Sequence, residues 1–169
     1  DGIRDVAVTG VQTCALPISY SKIATVTVGS GGVSSINFLA IPQNYTDLMI
    51  KYSLRTDYSG SVNSSVYLYP NGVNSNTSSR TLYATSTGTG SGTYSYIIGR
   101  DINGNGTGST ANTFSNGEFY IANYASGNYK SVSNDSVAEI NASTSSIMMG
   151  LSAGLWSNSS PITSIALYG

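Results

Sequence analysis

The sequence predicts an all-β protein, an antiparallel two-sheet β-sandwich of jelly-roll-like type. Three observations predict it. From Tyr20 to the end, apolar and polar residues alternate with a period of two. Gly, Asn, Ser and Pro punctuate that alternation at short intervals, as turns between short strands require. No window keeps apolar residues at i, i+3, i+4 and i+7 over three turns, and the wealth of β-branched residues disfavours helix further.

Taken in order, residues 22–28 (KIATVTV) alternate, the Gly-Ser-Gly-Gly of 29–32 supplies a turn, and residues 33–38 alternate again, which predicts a hairpin. Residues 47–55 place Leu48, Ile50, Tyr52 and Leu54 on one face and Lys51 and Arg55 on the other, a half-buried strand. Further strands are expected at 65–69, 80–85, 94–99, 118–123, 132–140, 146–152 and 162–168. The long polar stretches 69–79 and 101–116 are expected to be exposed loops. No internal repeat of solenoid or propeller type is visible.

At 169 residues and 40% hydrophobic content, the chain suits one core rather than two. Only 9% of its residues are charged, so Ser, Thr, Asn and Gly must solvate the surface. The 13 tyrosines outnumber Phe and Trp together, a bias that fits half-buried sites where a ring packs and its hydroxyl stays wet. A net charge of −1, with Lys and Arg scattered singly, gives no field for gathering phosphates and argues against nucleic-acid binding. No apolar run approaches the roughly 20 residues of a membrane-spanning helix, so membrane insertion is not expected.

Residues 1–19 read unlike the rest. The eleven residues VTGVQTCALPI at 8–18 resemble the translation of a common sequencing-library adapter. Asp1 and Asp5 spoil the basic start of a signal peptide, and Pro17 interrupts its apolar run. We therefore read 1–19 as a non-native leader expected to be disordered, and 20–169 as a single β-sandwich domain. On that reading Cys14, the one cysteine, lies outside the native part.

For chemistry, the composition is notable for what it lacks. Without histidine there is no Ser-His-Asp, Cys-His or His-metal arrangement, and one cysteine makes no internal disulfide or CxxC pair. Of the carboxylates Asp47, Asp57, Asp101, Glu118, Asp135 and Glu139, no spacing selects a glycosidase pair. An enzyme is not expected, nor is any cofactor. Asp101, Asn103 and Asn105, followed by Gly106, match the opening of a calcium loop and are a weak metal candidate. Asn112 stands where the bidentate Glu belongs, and the Asn- and Gly-rich composition favours a plain turn. The Asn-x-Ser/Thr sequons, seven in all, are close to what this composition produces by chance. Among the aromatics, Tyr58, Tyr94, Tyr124 and Trp156 are candidates for stacking on a sugar. Tyr67 and Tyr69 share one strand face, where cross-strand packing accounts for them.

The segment 23–32 (IATVTVGSGG), with Ile36-Asn37-Phe38 and residues 41–48 (IPQNYTDL), resembles the start of a family of tailed-phage virion proteins from environmental samples. Trp156 and residues 161–165 (PITSI) resemble that family's closing region, while the middle does not match. The likeness covers about a third of the chain, on structural motifs, and the final residues 165–169 arrive early against it. It implies a non-catalytic β-sandwich at the virion surface: a capsid decoration, head-fibre or tail-fibre module. Such a module works through contacts with other virion proteins and with its own copies, a trimer fitting fibres and decorations alike. The alternative is a carbohydrate-binding or adhesin module for a host-surface glycan: Tyr on strand faces favours the scaffold, whereas several Tyr clustered on one rim with Asn and Asp favour glycan binding.

Overall fold

The computed structural model describes residues 19–59, 63–140 and 148–169, with the backbone alone described at 63 and 98–105. The expected non-native leader at 1–19 lies outside the described residues save for its last residue, Ser19. Ten strands form: β1 (Ile36–Phe38), β2 (Leu48–Leu54), β3 (Asn63–Pro70), β4 (Thr77–Thr85), β5 (Gly88–Tyr94), β6 (Ile98–Asn105), β7 (Ser115–Ile121), β8 (Lys130–Ala138), β9 (Met148–Trp156) and β10 (Ile165–Tyr168). No helix occurs among the described residues. The strands make two antiparallel sheets, one of four in the order β1-β10-β3-β6 and one of six in the order β2-β7-β8-β9-β4-β5. This is the predicted two-sheet sandwich.

Period-two patterning decides which side chains meet between the sheets. Val66 and Leu68 of β3 and Ile165 and Leu167 of β10 face inward from the small sheet, against Leu48, Ile50, Phe119, Ile121 and Val132 of the large one. Tyr124, Trp156 and Ile162 close one end of this core. Toward β4 the inner row changes character, because Ser79, Thr81, Asn134, Ser136 and Ser152 are all buried there. Pairing within the layer satisfies these groups: the Thr81 and Ser152 hydroxyls lie 2.8 Å apart, Ser79 donates to the Tyr96 carbonyl at 2.7 Å, and Asn134 donates to the Glu118 carbonyl at 2.8 Å.

Polar ties fix the end beside Trp156. Lys130 is fully buried, and its ammonium donates to the carbonyls of Ser126 (2.7 Å) and Ser160 (2.6 Å) while lying 5.6 Å from the Trp156 ring centre. Burial holds its pKa below the ordinary lysine value. Asn71 adopts the left-handed region (φ 51°) at the turn after β3. From there its amide donates to the Pro161 carbonyl (2.9 Å) and accepts from the backbone N–H of Thr163 (2.9 Å) and Ser164 (3.2 Å). The Tyr124 hydroxyl donates to the Pro42 carbonyl.

Tyrosine rings lie over glycines at three places. An added carbon at Gly117 would collide with Tyr52, at Gly90 with Tyr83, and at Gly92 with Tyr94. Gly117 is the direct cross-strand partner of Tyr52, and Gly90 of Tyr83, so each glycine is the seat of an opposing ring. Burial raises the Tyr52 pKa far above the phenol range; its hydroxyl lies beside Asn134 and Ser136 but makes no hydrogen bond of ordinary geometry.

Three sequence expectations need correction. Residues 22–28 form no strand: they lie on the surface and enter no ladder, so the expected hairpin is absent. Residues 98–105 lie in β6 rather than in a loop, so Asp101, Asn103 and Asn105 sit on extended backbone and not on the turn a calcium site needs. The Gly-rich run 88–94, where no strand is expected, forms β5, and the strand expected at 94–99 straddles the β5–β6 connection.

Candidate functional surfaces

Two outward faces carry the side chains available to a partner. On the six-stranded sheet, the register aligns Lys51, Glu118, Asp135, Leu151, Leu82 and Ser91 in one row from β2 to β5. The neighbouring row runs Ser53, Asn116, Val137, Met149, Ala84 and Thr89. Where the rows cross β8, β9 and β4 they are apolar and open: Leu82 is 65% exposed, Leu151 63%, Met149 58% and Val137 44%. Together with Ala84 and Asp135 these residues line a shallow groove. The large sheet thus carries a contiguous apolar patch with a charged flank on its outward face.

The charged flank is built from cross-strand neighbours. Lys51 bridges to Glu118 at 2.9 Å, and this contact raises the lysine pKa. Asp135 stands directly opposite Glu118, so the two carboxylates repel and the lysine offsets part of that repulsion. The pair lies on an open sheet face, not across a cleft. Asp47 accepts from the Tyr120 hydroxyl at 2.7 Å and from the Asn123 backbone N–H at 2.9 Å. That bond raises the Tyr120 pKa. Glu118 and Asp47 thus each have a local bonding role.

Beside the four-stranded sheet runs a stripe of half-buried tyrosines: Tyr67 and Tyr69 of β3 and Tyr168 of β10 stand on its outward positions, and Tyr94, at the end of β5 in the large sheet, and Tyr96, in the β5–β6 connection, extend the row. Tyr94 stacks on Tyr96 (ring centres 5.8 Å, planes 13° apart), and Tyr96 meets Tyr67 edge-on at 5.4 Å. Tyr67 neighbours Tyr69 at 6.4 Å, and Tyr69 packs on Tyr168 at 4.8 Å. Five rings thus run in sequence from β5 across β3 to β10.

Of the proposed sugar-stacking residues, only Tyr94 belongs to this stripe. Tyr58 is 60% exposed but stands apart in a loop, its carbonyl accepting from Thr107. Tyr124 and Trp156 are corrected to core residues: both are buried and present no ring face to solvent. Their rings are the largest in the core, and burying them removes the most apolar surface from water. Sequence reasoning missed Leu82, Met149 and Leu151 as contact residues. Adjacent methionines at 148 and 149 were the available signal, since a strand apolar on both faces must present one of them outward.

No family model, curated protein or solved structure matches the chain.

Proposed function

We propose that this chain is a non-catalytic structural module of the tailed-phage virion surface, a capsid decoration, head-fibre or tail-fibre unit acting through subunit contacts. The observation that carries the reading is the apolar patch of Leu82, Val137, Met149 and Leu151 on the outward face of the large sheet. A display protein with few charges that leaves hydrocarbon in a contiguous groove is suited to permanent neighbours, meaning other virion proteins and further copies of itself. The resemblance of its first and last strand regions to phage virion proteins supports the same reading. Light scattering of the full chain tests it: a stable oligomer is expected, weakened by Leu82→Ser with Leu151→Ser, whereas a monomer at all concentrations overturns it.

The second reading, a module recognising a host-surface glycan, would use the tyrosine stripe as its platform. Rings of this kind stack on sugar faces while their hydroxyls accept and donate. Binding on a glycan array that Tyr69→Ala and Tyr96→Ala abolish would establish this reading in place of the first.

A further inference from the structure

Residues 22–28 have the sequence pattern of a strand but no sheet. The segment KIATVTV alternates with strand period, and Ile23, Val26 and Val28 are 40%, 45% and 39% exposed. Its backbone enters no ladder, and all seven residues are exposed. A β-branched stretch in this state leaves both its hydrocarbon and its hydrogen-bonding groups to water.

The same chain presents a sheet edge without a partner. β5 ends the six-stranded sheet, and no described strand pairs with its outer side. Natural edges are guarded by Lys, Pro, a bulge or short length. β5 has none of these: its seven residues, GTGSGTY, are uncharged and free of proline, and they pair with β4 in unbroken register. The edge also borders the apolar patch, since Ala84 and Leu82 are the cross-strand neighbours of Thr89 and Ser91.

Within one chain the two do not pair. Tyr20 lies within electrostatic reach of Lys51 and Tyr120, on β2 and β7, and the segment leads on to β1 at the edge of the small sheet remote from β6. From β2 to β5 the large sheet spans five strand spacings, about 24 Å. The segment is therefore held at the opposite side of the molecule from the edge it matches in length and chemistry.

We propose that residues 22–28 of one copy pair with the outer edge of β5 in a second copy, adding a seventh strand to its large sheet. The added strand would set Ala24, Val26 and Val28 on one face, in line with the alternation that carries Leu82 and Ala84. Because donor and acceptor lie on different sides of each chain, the contact is head-to-tail, and a rotation that closes gives a ring. This inference deepens the assembly reading above and rests on it.

Complementation of two full-length variants tests it. Val26→Pro breaks the donor in a segment that makes no ladder, and Thr89→Lys with Ser91→Lys guards the acceptor edge at exposed positions. Each variant alone should be monomeric by light scattering, with wild-type circular dichroism. An equimolar mixture should double in mass and stop at two, because only one intact edge and one intact donor remain. Adjacent residues aim their N–H groups to opposite sides, so Val26→Pro and Thr27→Pro chains that both keep the wild-type mass overturn this pairing while leaving the assembly reading intact. A wild-type chain that is monomeric throughout overturns both. If the lysine variant fails to fold, Val26→Pro and Thr27→Pro decide alone, since at least one must lower the mass.

Discussion

Gly117→Ala is expected to destabilise the sandwich by about 2 kcal/mol, because this glycine is where the Tyr52 ring lies on the neighbouring strand. An added methyl would sit 2.7 Å from the Tyr52 Cζ and 2.7 Å from the Asp135 carbonyl oxygen, against ordinary contacts of 3.4–4 Å. The carbonyl belongs to the β7–β8 ladder, so relief there means spreading two strands. Relief at the ring is equally obstructed, since Tyr52 packs on Phe119 at 5.8 Å and its hydroxyl is sealed from solvent. For a domain of this size, roughly 2–4 °C accompanies each kcal/mol, so the midpoint should fall by about 4–8 °C in a thermal melt. Gly127→Ala is the control: an added carbon there meets nothing within 4 Å, and its change should stay within about 0.5 kcal/mol. Tyr52→Phe removes the colliding oxygen, so the double variant should recover part of the loss, a coupling of about 1 kcal/mol. Equal stability of Gly117→Ala and Gly127→Ala would refute the ring-on-glycine account.

Three further outcomes follow from the ties described above. Burial raises the pKa of Tyr52 and Tyr124 from 10.0, so the folded chain stays protonated where the unfolded one ionises. Their stabilisation is complete below about pH 10 and is lost as pH rises toward the folded values, which urea melts with tyrosinate absorbance will show and Tyr52→Phe should soften. Lys130 runs the other way, since its lowered pKa is a deficit that closes as pH approaches 10.5. Lys130→Met should cost about 1–3 kcal/mol in denaturant, the loss of two short ammonium bonds less the relief of a buried charge; an unchanged midpoint would show that the two offset each other. Asn71→Ala should cost about 2–3 kcal/mol, and Asn71→Gly distinctly less because glycine keeps the left-handed turn; equal costs would mean the side-chain bonds alone matter.

How much of this was legible depended on whether periodicity or partnership decides the outcome. The half-buried face of Leu48, Ile50, Tyr52 and Leu54 follows from alternation alone, and the structure carries it in β2. Residues 22–28 alternate just as well, yet form no strand, because a strand needs a neighbour and period two does not name one. The reverse holds for β5, where no strand is expected but the glycines pair with β4 under covering tyrosine rings. The apolar patch was hidden for a related reason: Leu82, Val137, Met149 and Leu151 come from three strands, and only the register sets them side by side. Tyr124 and Trp156 show the limit of residue type, since the same rings that suit a sugar suit a core, and burial here chose the core.

The change of character along the inner face, from hydrocarbon toward β2 and β7 to hydroxyls and glycines under β4 and β5, should give the molecule a stiff side and a soft side. Amide protons of β7, β8 and β10 should exchange only on global opening, whereas those of β5 and the neighbouring half of β4 should exchange through cheaper local excursions. The margin that is easiest to open is thus also the unguarded edge. A neighbour's strand landing there would brace the weakest part of the fold, so that each copy becomes fully rigid only once the next one has arrived.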